Sequence, residues 1–274
     1  MNQNKHEREL PKNRFQQVIE IVRERYFDVI TLSIFIFCFS IPILVWIVYV
    51  NFAEKAINNL AIFVFIYGPF IPGIMILGLG MAGAFYFAHR LIHVHGASPG
   101  NDLISGIRKY YRQFLIIYFF IGILYFLCEL NQFWILTNPL FSSEIDGVLL
   151  ALNWFIFFVF MIIFGYMQTH IIIYQSAIKS LIMNSIRFSF GKLGLNLVII
   201  LICFLPFIIY EFVPISIIQW SSLGVAGLFY FSFSPIVFTA YSYDLYDKFI
   251  NQKQFRNIYR RGLKNENTNF FDKP

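Results

Sequence analysis

Apolar residues run along this chain in long blocks, not in short alternations. Six blocks reach membrane-crossing length: residues 29–51, 60–89, 114–136, 148–174, 195–217 and 223–243. A helix needs about 20 mostly apolar residues to cross a hydrocarbon core ~30 Å thick, at ~1.5 Å per residue. Backbone polar groups in lipid must bond within their own segment, which makes helix the default. The pattern therefore predicts an all-α fold: a polytopic membrane protein with six transmembrane helices. The second block holds Gly68-Pro69 and Pro72-Gly73, which predict a kink or a separate half-helix at its start. The first block begins only after residue 28, is too long for a signal-peptide core and is followed by no small-residue cleavage site, so it is expected to remain as an anchor.

Three further stretches carry helical periodicity without crossing length. Residues 15–26 align Phe15, Val18, Ile19, Val22 and Tyr26 against Arg14, Arg23 and Arg25. Residues 99–114 follow Ser98, a suitable N-cap, with Pro99 at the first helical position, and align Leu103, Ile107, Tyr110 and Phe114 against Arg108 and Arg112. Residues 177–190 align Ile178, Leu181, Ile182 and Ile186 against Lys179 and Arg187. All three are expected to be short interfacial amphipathic helices. The last two also resemble each other: Leu103-Ile104-Ser105-Gly106-Ile107-Arg108 lines up with Ile182-Met183-Asn184-Ser185-Ile186-Arg187, as in a degenerate duplicated hairpin.

Charge placement orients the spans. The segment before the first span carries six Lys and Arg, the connection after span two carries four, that after span four three, and the C-terminal segment seven; the three alternate connections hold Lys55 alone. Cytoplasmic loops retain Lys and Arg, so both termini are expected in the cytoplasm. The predicted organisation is a basic amphipathic segment at 1–28, a transmembrane domain at 29–245 and a basic cytoplasmic tail at 246–274. Trp134 and Trp220 fall at outer span ends, where an aromatic belt sits.

Composition agrees. The chain is 58% hydrophobic and only 13% charged, against about 25% charged in soluble domains. Soluble globular, disordered and disulfide-scaffold classes are excluded. The net charge of +6 is placed for a lipid surface, not for nucleic acid. Cys38, Cys128 and Cys203 lie far apart inside apolar blocks without metal or redox spacing.

Chemistry-bearing residues are few. His89, His93 and His95 form an HxxxHxH run whose first pair has metal-ligand spacing on a helix, with His170 near the inner end of span four as a further neighbour. Glu129 and Glu211 lie in the outer parts of spans three and five; with Asn153, Tyr125 and Tyr210 they could face one outward polar pocket, or snorkel to the surface. Arg108, Lys109, Arg112, Lys179 and Arg187 form a basic surface suited to anionic headgroups or to a partner ATPase. Small residues in span two (Gly73, Gly78, Gly80, Ala82, Gly83, Ala84) suit close helix packing or dimerisation. No nucleophile elbow, Walker A or dinucleotide motif occurs. The chain therefore reads as non-enzymatic, with no cofactor.

The run Leu77-Gly78-Leu79-Gly80-Met81-Ala82-Gly83-Ala84-Phe85-Tyr86-Phe87-Ala88, the later Tyr110-Tyr111-Arg112-Gln113-Phe114 and the Asn184–Leu195 stretch together resemble the YesL-like family of uncharacterised bacterial membrane proteins, over residues 26–240. That resemblance implies an accessory or permease-like role in carbohydrate uptake, alongside ABC transporter components, and carries over no catalytic residue. Two other readings stay open: a small-molecule transporter with a pocket near Glu129, Asn153 and Glu211, and a histidine-dependent metal transporter or membrane enzyme at His89, His93 and His95. Expected partners are the lipid bilayer, ABC components and a second copy of the chain.

Overall fold

The computed structural model describes residues 10–53, 59–93, 97–138, 143–174, 178–213, 215–256 and 258–264. The described residues are all-helical, with no strand among them. In chain order the helices are α1 (Arg14–Glu24), α2 (Tyr26–Ala53), α3 (Leu60–Tyr67), α4 (Phe70–His93), α5 (Pro99–Thr137), α6 (Ser143–Tyr174), α7 (Ile178–Gly191), α8 (Leu193–Phe212), α9 (Ser216–Val225), α10 (Phe233–Tyr246) and α11 (Gln252–Gln254). Among the described residues four helical segments are long and apolar enough to cross a membrane: α2, α3 with α4, α5 and α6. A fifth is reached if α7 and α8, bent by 97° at their junction, count as one broken span. Large apolar side chains such as Val45, Phe65, Ile116, Val148 and Val198 face outward along these helices. Outward apolar bands of this kind are compatible with a multi-pass membrane protein.

The second apolar block is interrupted as its Gly and Pro residues predict. α3 ends at Gly68, whose N–H bonds Val64 O at 2.8 Å, and α4 resumes beyond Pro69. The expected separate helix at 99–114 is not separate. It forms the first part of α5, a single helix of 39 residues. Leu103, Gly106, Tyr110, Phe114, Ile117 and Ile121 are all buried. Their spacings of three and four keep one stripe in phase through the expected junction, and no Gly or Pro breaks it. At ~1.5 Å per residue this helix is about 58 Å long, so part of it extends beyond any hydrocarbon core. Ser98 holds the N-cap position with Pro99 next to it, but the cap is made by Asp102, whose carboxylate accepts from Ser98 N–H at 2.8 Å.

α7 and α8 show the opposite outcome, because Gly191 ends α7 and the chain turns. The similar hexapeptides in α5 and α7 are both helical but are followed differently, by a continuous helix in one case and a bend in the other. Residues 216–254 follow as a succession of helices joined by π-turns at Ala226–Tyr230 and Asp247–Asn251. Val225, Phe231 and Ser232 keep right-handed helical dihedrals through the first of these. There the hydrogen-bond register widens, Phe231 N–H reaching Ala226 O at 3.0 Å, and Ser33 of α2 accepts from Ser232 N–H at 3.0 Å.

Two apolar cores result. One joins α4, α5 and α6 through Phe85, Phe114, Ile162 and Tyr166; the other joins α2, α4 and α10 through Leu32, Phe87, Ile236 and Tyr243. The small residues of α4 serve packing within the chain. A Cβ at Gly106 would lie 2.9 Å from Gly83 Cα and 2.7 Å from Tyr86 Cβ, so α4 and α5 cross at backbone contact distance.

Candidate functional site

A polar interior lies where α1 and residues 247–264 meet the end of α4. Arg14 and Asp247 are 4% and 5% exposed, and their side chains pair at 2.7 Å. Two buried ions require further partners to offset lost hydration, and both have them. Arg14 Nη1 donates to Gln17 Oε1 and to Arg261 O, each at 2.9 Å. The guanidinium lies over the Tyr243 ring, 5.2 Å from its centroid. The other carboxylate oxygen of Asp247 accepts from Asn251 Nδ2 at 2.8 Å, and Asn251 in turn accepts from Tyr174 of α6. Gln17 Nε2 donates to Ile92 O at 2.8 Å, closing the joint onto α4.

This arrangement fixes α1 through its polar face and leaves its expected apolar stripe outward. Its buried face is Arg14, Gln17 and Ile21, whereas Phe15 is 74% and Ile19 49% exposed. The polar side of the helix is locked to protein and the apolar stripe points away from it. α7 follows the same scheme: Leu181, Ser185 and Ser189 face inward while Ile178, Ile182, Ile186 and Phe190 face outward. The C-terminal segment is also folded, not a free tail, as far as it is described. Lys264 N–H bonds Pro11 O at 2.9 Å, and Leu263 is buried. Gly262 makes the turn at φ +82°, with Ile92 O only 2.8 Å from where a Cβ would stand.

His89 and His93 belong to this joint. Their rings lie 5.1 Å apart, and His93 meets Tyr243 edge-on at 4.2 Å. The Tyr243 hydroxyl and His89 Nδ1 share a hydrogen bond at 2.6 Å, so one ligating nitrogen of the pair is already engaged. His95 lies outside the described residues. Among those described, no group of three or more His, Cys, Asp or Glu is placed to hold a metal ion. His170 stands with Tyr174 and Tyr246, at ring distances of 4.7 and 5.7 Å.

A second polar centre sits at the α7–α8 corner. Asn196 is fully buried. Its amide nitrogen donates to Phe188 O at 2.9 Å and Ser189 O at 2.8 Å, satisfying carbonyls that the end of α7 leaves without helical partners. Its oxygen accepts from Tyr166 at 2.9 Å and Tyr241 at 2.8 Å. One side chain thus ties the bend to α6 and α10. Beside the corner opens a cleft of about 610 Å³ between the end of α6, α7 and the helices following α10. Arg187 and Lys192 line it, with Asn184, Gln254 and the rings of Phe188 and Phe255.

The expected outward pocket is only partly visible. Asn153 is buried and clasps α6 to α5, donating to Cys128 O at 3.0 Å and accepting from Asn131 at 3.2 Å. Trp154 adds a bond to Gln132 at 3.1 Å. Glu129 lies on the neighbouring turn of α5, half-buried, and the Glu211 side chain is outside the described set. Of the basic residues, Arg108, Lys109 and Arg112 are exposed on α5 and Lys179 and Arg187 on α7. Arg108, Lys109 and Arg112 thus sit on a long helix and not on an interfacial one.

Sequence reasoning singled out neither Asp247 nor Asn196, and counted Arg14 only as one cation among many. Each carries a signal in retrospect: Asp247 is an acid four residues beyond the last apolar block, and Asn196 is a lone amide at the start of another. Comparisons with protein-family models, with curated proteins and with solved structures find no match for this chain.

Proposed function

We propose that this chain is a non-enzymatic cell-membrane protein of six crossings, with both termini in the cytoplasm, acting as an accessory or permease-like component of carbohydrate uptake. The observation that carries the topology is the buried contact of Arg14 with Asp247 and with Arg261 O. A contact between residues before the first span and residues after the last apolar block supports an even number of crossings between them. The alternation of Lys and Arg along the chain assigns that side to the cytoplasm. In further support, α1 and α7 turn their apolar stripes away from protein, as helices lying in the bilayer interface do.

The role in uptake rests on the resemblance to the YesL-like family and on the α7–α8 corner. A short cytoplasmic helix fixed at 97° to a span is a rigid surface for an ATPase or another ABC component to press against. Isolation of the tagged full chain in mild detergent from cells growing on a range of carbohydrates tests this. The reading expects an ABC permease, ATPase or sugar-binding protein to accompany it, and slower uptake of that sugar when the gene is deleted. Isolation alone on every carbon source, with unchanged uptake in the deletion, would contradict it.

A further inference from the structure

The cleft beside α7 has no place in the reading above. Among the described residues its Lys and Arg are Arg187 and Lys192, and no described Asp or Glu lines it. Among the described residues neither cation makes an ion pair. The acids of the adjoining helix are engaged elsewhere: Asp247 with Arg14, and Asp244 with Lys248 at 2.6 Å. Among the described residues the cleft thus holds positive charge without a compensating acid, and Asn184 and Gln254 add neutral polar groups beside it.

The remaining lining is apolar and reaches outward. Phe188 is half-buried, while Phe249 and Phe255 are 57% and 37% exposed, with the Phe188 and Phe249 rings 6.1 Å apart. The outward stripe of α7, with Ile182 and Ile186, adjoins the same helix. A ligand matched to this surface carries an anionic head for Arg187 and Lys192 and an apolar body for the rings. A volume of about 610 Å³ accommodates a headgroup with the first carbons of its chains, in the size range of small-molecule sites. Asn196 holds the end of α7 that forms one wall of the cleft.

We infer that the cleft between α7 and the C-terminal helix binds a phosphate ester carried on an apolar body, namely the headgroup of an anionic phospholipid of the leaflet in which α7 lies. Arg187 and Lys192 hold the phosphate oxygens and the phenylalanines hold the glycerol and proximal acyl carbons. The inference rests on the proposed interfacial placement of α7, but the binding itself is measurable in detergent, where topology plays no part.

The test is titration of the purified full-length chain with dioctanoyl phosphatidylglycerol, dioctanoyl phosphatidylcholine, inorganic phosphate and glucose 6-phosphate, followed by native mass spectrometry and thermal unfolding. The expected result is saturable binding of the phosphatidylglycerol, weakened tenfold or more in R187Q/K192Q and unchanged in R108Q/R112Q. Both cations of the first variant are exposed, so its unfolding temperature without lipid is expected to match the parent. Equal binding of phosphatidylcholine, or equal loss in the two variants, would overturn the site. Saturable binding of glucose 6-phosphate or phosphate that displaces the lipid would overturn the lipid as its source. Terminal topology measured in parallel separates the two ideas: binding lost with the topology intact removes the site alone, and binding intact with the termini on opposite faces removes the topology alone.

Discussion

Arg14 and Asp247, 233 positions apart in sequence, meet at 2.7 Å with both side chains almost fully removed from solvent. The pair fastens the helix before the first span to the helix after the last apolar block. It is also what keeps the polar face of α1 inward, leaving Phe15 and Ile19 to the surroundings.

Removing one partner leaves the other charge buried and unpaired. Arg14→Ala or Asp247→Ala is expected to destabilise the protein by about 3–5 kcal/mol, seen as a lower unfolding temperature in detergent. The double variant R14A/D247A is expected to lose less than the sum of the singles, because neither charge is then stranded. Additive losses would show that the two groups do not act as a pair.

Asn196 has four hydrogen-bonded neighbours from three different helical segments. Asn196→Ala leaves buried groups without partners, each at a cost of about 1–3 kcal/mol. N196D, which keeps the acceptor for Tyr166 and Tyr241 but loses the donor to Phe188 O and Ser189 O, is expected to be intermediate. A distance between spin labels on α7 and α8 should broaden in N196A and stay narrow in the parent. An unchanged distribution would remove Asn196 from its role at the bend.

Gly262 combines a left-handed backbone with a contact that admits no side chain. Gly262→Ala is expected to cost about 1–2 kcal/mol from the backbone alone, with more from crowding against Ile92 O. Limited proteolysis should then cut near residue 262 faster than in the parent. Equal cutting rates would mean that the turn is not needed to hold the segment on α1.

Much of this architecture was legible in the residue pattern, and the exceptions have physical causes. Four of the six apolar blocks form long helices, as lipid-length hydrophobic runs demand, and Gly68-Pro69 marked a true break; the last two blocks are marked off by the bend before α8 and interrupted by the π-turn after α9, which composition alone did not announce. The α5 segment misled because its stripe, when read alone, looks the same whether lipid or a neighbouring helix covers it; Leu103, Gly106 and Tyr110 are covered by protein. The stripe of α1 was readable from its spacing, but the burial of Arg14 was not, since its partner Asp247 lies far away in sequence. The polar centres at Asp247 and Asn196 are tertiary constructions, and single residues in apolar surroundings announce that something must satisfy them without saying what. The histidine pair is legible as spacing, yet Tyr243, which occupies His89 Nδ1, comes from another helix.

The central claim is that residues 12 and 264 lie on the cytoplasmic face with an even number of crossings between them. Cysteine accessibility in intact cells tests it most directly, using single cysteines at Lys12, Lys55, Glu144 and Lys264 in a background lacking Cys38, Cys128 and Cys203. The account predicts that an impermeant maleimide reaches positions 55 and 144 from outside, and positions 12 and 264 only after the membrane is opened. Labelling of position 12 and position 264 from opposite sides would contradict it.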